Sequence, residues 1–194
     1  PIEFIDAAYF KHDADLMAEM AAALGQKAAA AEYQRLSQKI AAQFAADYLD
    51  PEGSLKVKTQ TAHVLALQFR LLPPEALPGI ASRLAEMIAK NGYRMATGFL
   101  GTKPLLPALS DSGHNDLAVR LFQSRRFPSW GYEVEQGATT VWERWDSYTK
   151  EHGFNGAGGN QNASMNSFSH YSFGAVMQWV FQTLAGIDTD GPGF

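Results

Sequence analysis

The sequence predicts an all-α fold assembled from helical hairpins. Three observations predict it: apolar residues recur at steps of three and four through most of the chain up to Phe122, Gly- and Pro-containing turns divide these runs into successive pairs, and the strict alternation of a strand is scarce. Such an array closes into a ring of hairpins or extends as a solenoid. The pairs differ in sequence, so the repetition is structural only.

Between Ala7 and Leu24 the apolar residues Leu16, Met17, Met20 and Leu24 mark the inward stripe of a first helix, with Gly25 as its C-cap. The second helix, Gln26 to Tyr48, carries Tyr33, Leu36, Ile40, Phe44 and Tyr48 on one side and Arg35, Gln38 and Lys39 on the other. It stops at "LDPEG", where Pro51 and Gly53 break the pattern. A second pair runs from Gln60 to Leu72, with Leu65, Phe69 and Leu72, through the turn "PPEALPG", and from Ile80 to Lys90, with Leu84, Met87 and Ile88. The third pair is shorter: Lys103 to Leu109 and Asn115 to Phe122, joined by "SDSGHN".

Ahead of this pair, "GFLGTK" at Gly98 to Lys103 has the outline of a phosphate loop but lacks the GKS/T ending and a preceding strand. It reads as a tight turn feeding a helix, with Thr102 as N-cap. After Phe127 the rhythm fades. "FPSWGYEVEQGATTVWERWDSY" is aromatic and Gly-interrupted, and Glu151 to Ser167 is loop, of a length more often functional than decorative. A last helix, roughly Ser169 to Leu184, is predicted to pack Phe173, Val176, Met177, Val180 and Leu184 on one side.

With 194 residues and 46% hydrophobic content, the chain can bury one real core. A formal charge of −4 and no basic stripe argue against a nucleic-acid partner. No apolar run approaches the roughly 20 residues of a bilayer span, and "PIEFIDAAYF" lacks the pattern of a signal peptide. A membrane partner is therefore not expected, and the sequence fits the cytoplasm without fixing the compartment. The absence of cysteine excludes disulfides and thiol nucleophiles. The five histidines show no paired ligand spacing, so neither a metal nor another cofactor is expected. No GxSxG elbow occurs, which leaves carboxylate chemistry.

Trp130, Trp142 and Trp145 crowd into one short window with Tyr132 and Tyr148, among Glu133, Glu135, Glu143, Arg144 and Asp146. Two readings compete. Trp142 and Trp145 are core aromatics at helical spacing, flanked by solvated charges; or the rings are the floor of a sugar site, where flat faces suit a pyranose and the polar groups hold its hydroxyls. Gly137, Thr139 and Thr140 break the periodicity just before Glu143, as where a loop carries a functional side chain into a cleft. Bulky aromatic neighbours raise the pKa of a glutamate unless a cation such as Arg144 compensates, and a general base must stay ionised.

The stretches "TGFLGTKPLLPALSDSG", "FPSWGYEVEQGATTVWERWDS" and "MNSFSHYSFGAVMQWVFQTLAGI" resemble, in that order, segments of the catalytic domain of bacterial α-L-rhamnosidases of glycoside hydrolase family 78. "QTAHVLALQFRLLP" is similar to that family's helical repeats, and the likeness runs from about Asp6 to Ile187. The resemblance implies an (α/α)6 barrel with its active site at one end, and hydrolysis of terminal α-L-rhamnosides with inversion. It also implies Glu143 as the general base and His170 as a sugar contact. Trp142, Trp145, Trp130 and Arg144 are further substrate-binding candidates, and a rhamnose-containing glycoside is the implied partner.

Inversion needs a second carboxyl about 6.5–9.5 Å from the first. In the rhamnosidases that acid lies upstream of the WERW block, and Glu3, Asp13 and Asp15 do not match its motif. The expectation is therefore a C-terminal portion of a barrel over residues 1–187, followed by a connector at 188–194, inactive alone and prone to self-association through open helix faces. The rivals are a non-catalytic carbohydrate-binding module, a helical-repeat interaction scaffold, and the same barrel acting on another sugar.

Overall fold

A computed structural model describes residues 2–154 and 166–189. The regular elements among them are helical: α1 (Ile2–Ala23), α2 (Lys27–Tyr48), α3 (Gln60–Gln68), α4 (Leu77–Lys90), α5 (Phe99–Asp111), α6 (Asn115–Phe122), α7 (Trp130–Gln136), α8 (Tyr171–Gly174), α9 (Val176–Trp179) and a π-helical turn (Val180–Leu184). Strand-like pairing among the described residues is confined to the isolated bridges Leu49–Leu55 and Thr149–Gly153. The all-α expectation holds. The chain divides into two compact units, Pro1–Leu84 and Ala85–Phe194.

In the first unit α1 and α2 form a hairpin through Gly25, whose φ of 71° suits the glycine. Phe4 packs edge-on against Phe44 and Tyr48, with ring centroids 4.9 and 5.0 Å away. The predicted inward stripe of α1 is wrong: Leu16, Met17, Met20 and Leu24 are exposed, and Phe4, Ala8, Lys11, Ala14 and Ala21 are buried. Alanines on the buried side let the helix backbones approach, and the long side chains are left on the other face. Lys11 tolerates burial because its ammonium is matched, donating to Asp15 Oδ2 (2.6 Å) and Phe69 O (2.8 Å). The other Asp15 oxygen accepts from Ser37 on α2.

Helix α3 is enclosed on nearly every side, from Ala62 to Leu67, and Thr59 caps it by accepting the Ala62 N–H at 3.1 Å. It ends at Gln68 rather than Leu72, because Arg70 takes a φ of 49° and the Leu71 N–H turns back to Ala66 O (3.1 Å). Of the residues expected inward on α4, Leu84 and Ile88 are buried, together with Ile80, and Met87 is half-buried.

In the second unit α5 begins at Phe99, with Gly98 at the capping position. Thr102 is therefore inside the first turn and is not the cap; its hydroxyl donates back to Gly98 O (2.9 Å) and pairs with Thr97 Oγ1 (2.9 Å). Helix α7 has no counterpart in the predicted elements. Ser129 caps it, accepting the Tyr132 N–H at 3.0 Å, and Gly137 closes it at φ 104°. Gly131, which interrupts the sequence pattern, is required by contact: a Cβ there would sit 2.4 Å from Ser124 O. The predicted last helix is split into α8, α9 and the π turn. Its buried face is Phe173, Val176 and Trp179, while Met177 and Leu184 are exposed. Trp179 Nε1–H ties α9 to α5 by donating to Ser110 Oγ (2.9 Å).

Candidate active site

The acidic-aromatic cluster lies in the second unit, outside any helix after Gly137. Residues 140–143 run beside residues 167–170. Thr140 Oγ1 donates to Phe168 O, the His170 N–H to Val141 O (2.9 Å), and the Glu143 N–H to Ser167 O (2.9 Å). The Ser167 N–H in turn donates to Glu143 Oε2 at 2.7 Å. One residue thus fixes both the backbone and the carboxylate of Glu143. A carboxylate held by a backbone amide loses rotameric freedom before it meets a substrate, which is what a positioned base requires.

His170 stands on the neighbouring segment and caps α8, its Nδ1 accepting the Ser172 N–H at 3.3 Å. In the neutral ring the proton is then on Nε2, a donor suited to a sugar hydroxyl. Phe99 and Tyr171 lie nearly parallel to the imidazole, with centroids 5.0 and 5.4 Å away.

The tryptophans sit in an aromatic core. Trp145 is stacked on Phe173 at 3.8 Å and meets Trp130 edge-on at 5.3 Å; Trp142 contacts Tyr148 and Phe168 edge-on. Trp142 and Trp145 are buried, and Trp130 donates its Nε1–H to Phe173 O at 2.9 Å. No helix spans Trp142 and Trp145, so their spacing is that of a turn, closed by the Ser147 N–H on Arg144 O at 3.1 Å. Arg144 gives its backbone N–H to Ser147 Oγ (3.1 Å), and its Nε and Nη2 are buried with no acceptor among the described residues. The 151–167 loop lies outside the described residues over 155–165; Asn166 is tied to Ser147 O at 2.9 Å.

Ser167 and Phe99 escaped the sequence reading, and Glu133, grouped there with the polar residues of the cluster, has a burial which that reading did not foresee. Glu133, on α7, is only 3% exposed, and burial pushes its carboxyl up to about 8, opposed by a hydrogen bond from the Trp142 backbone. So enclosed a carboxyl has little access to solvent. A glutamate on a short helix reads as a solvated charge, and nothing local announces that tertiary packing covers it.

Residues 1–184 match the family model of the bacterial α-L-rhamnosidase six-hairpin glycosidase domain. The chain belongs to this family. An α-L-rhamnosidase of Streptomyces avermitilis is 43% identical over the whole chain, which covers 18% of that relative. Its crystal structure, in complex with L-rhamnose, superimposes with a TM-score of 0.92. An α-L-rhamnosidase of Formosa agariphila is 39% identical over 94% of the chain and 19% of the relative. The crystal structure of the Aspergillus terreus α-L-rhamnosidase matches 96% of the chain and 21% of its own at 33% identity, with a TM-score of 0.88. The chain therefore spans about a fifth of the length of these rhamnosidases, and the expected class, part of an (α/α)6 barrel, stands.

Proposed function

We propose that the full-length protein is an inverting α-L-rhamnosidase and that Glu143 is its general base, drawing a proton from the water that attacks the anomeric carbon. The observation that carries this reading is the carboxylate of Glu143, held through Oε2 by Ser167 beside the segment that bears His170. His170 Nε2–H and Arg144 are the polar contacts to the sugar. Trp130 and Trp145, packed on each other with Trp145 stacked on Phe173, and Trp142, packed on Phe168, act by stiffening the loop rather than by offering open faces. The general acid comes from chain outside these residues. Residues 1–187 are taken as the contribution to the barrel and 188–194 as a connector, of which 190–194 lie outside the described residues.

Inversion on an α-L-rhamnoside must release β-L-rhamnose first. Proton NMR of the full-length protein acting on an aryl α-L-rhamnoside is expected to show that anomer before mutarotation. Initial release of the α-anomer overturns the mechanism, and saturable binding without any turnover replaces the enzyme with a carbohydrate-binding module.

A further inference from the structure

The "TGFLGT" stretch has the outline of a phosphate loop and no role in the chemistry above. Its construction is unusually fixed for a turn. Thr97 and Thr102 are both buried, their hydroxyls meet at 2.9 Å, and Thr102 also donates to Gly98 O at 2.9 Å. These bonds pin the start of α5, where Phe99 stands. The Phe99 ring lies 5.0 Å from the His170 imidazole at an interplanar angle of 17°, and 5.2 Å from Phe173 in an edge-on contact. The imidazole is thus set by three contacts: the Phe99 and Tyr171 faces hold the ring plane, and the Ser172 N–H on Nδ1 fixes which nitrogen faces outward as a donor.

We propose that Phe99 is a positioning residue for the sugar site: the Thr97–Thr102 lock holds its ring against His170, so that the imidazole is already oriented when the rhamnosyl group arrives. This rests on the reading of His170 as a sugar contact. A preoriented donor saves the freedom that a loose ring would lose on binding, so the effect belongs mainly to substrate affinity.

The test is a double-mutant cycle in the full-length protein, read as KM and kcat on an aryl α-L-rhamnoside. F99A is expected to raise KM about 3- to 10-fold, the range that one aromatic pair supports, with the smaller effect on kcat. Phe99→Tyr, which keeps the flat ring, is expected to restore KM. In an H170A background F99A is expected to change KM no further, because the ring it positions is gone. An unchanged KM in F99A, or effects of F99A and H170A that simply multiply, overturns the proposal. If H170A itself leaves KM unaltered, it is the sugar-contact reading of His170 that fails. Because Phe99 is itself 42% exposed, its truncation leaves no sealed cavity, and F99Y guards against a folding artefact.

Discussion

At the scale of single residues, Glu133 and Glu143 show how ten positions separate two carboxyls of opposite character. Glu143 is half-buried and fixed by Ser167; Glu133 is enclosed, with Oε1 lacking a partner among the described residues. The ordinary value for Glu133 is 4.5 and the folded value about 8. Below 4.5 both folded and unfolded chains carry the proton, and no stability is lost. As pH rises the unfolded chain ionises first, and the loss continues until the folded carboxyl ionises near 8. Each unit between the two values weighs roughly 1.4 kcal/mol, so the whole swing is on the order of several kcal/mol. Glu133→Gln, which cannot ionise, is expected to melt well above the unsubstituted protein at about pH 9 and close to it at about pH 4. Thermal unfolding at the two pH values checks this, and an equal Tm difference at both contradicts it. No feature of "WGYEVEQ" foretells this carboxyl, because its environment is made by the Trp142 segment rather than by its own helix. Glu143 was legible for the opposite reason: broken periodicity and its aromatic neighbours single it out, and the motif it sits in resembles a known one.

At the scale of elements, the hairpins were readable because turns announce themselves. Gly25, Gly53 and Gly113 all take positive φ at the predicted breaks. Helix faces were less readable. In α1 the close approach of α2 selects alanine for the buried side, so hydrophobicity pointed outward; in α9 Trp179 wins the core over Met177. Helix α7 was missed because Gly131 imitates a helix breaker, while its true reason is the carbonyl of Ser124. Gly131→Ala must push that backbone aside and is expected to lower stability by about 1–3 kcal/mol, measured by denaturant unfolding. A smaller effect is expected of Gly174→Ala, whose Cβ would meet Val141 Cγ2 at 3.3 Å, a side chain able to shift. Since Val141 lies two residues before Glu143, Gly174→Ala should lower kcat more than its stability effect implies; wild-type kcat would show that α8 does not position the loop.

At the scale of the whole molecule, the chain is about a fifth of its rhamnosidase relatives. One side of α1 leaves Phe10, Met17, Met20 and Leu24 in solvent, and the closing turn does the same with Phe181 and Leu184. Apolar faces of this kind associate when nothing covers them. The 194-residue chain expressed alone is therefore expected to self-associate and to hydrolyse no rhamnoside, since in the proposed mechanism the general acid lies outside it. Sedimentation that shows an active monomer contradicts both expectations. The central claim is the role of Glu143, and its most direct measurement is kcat of Glu143→Gln in the full-length protein. The expected result is a folded protein with kcat reduced at least 10²- to 10⁴-fold, the range for loss of a general base; turnover near that of the unsubstituted enzyme would remove Glu143 from the chemistry.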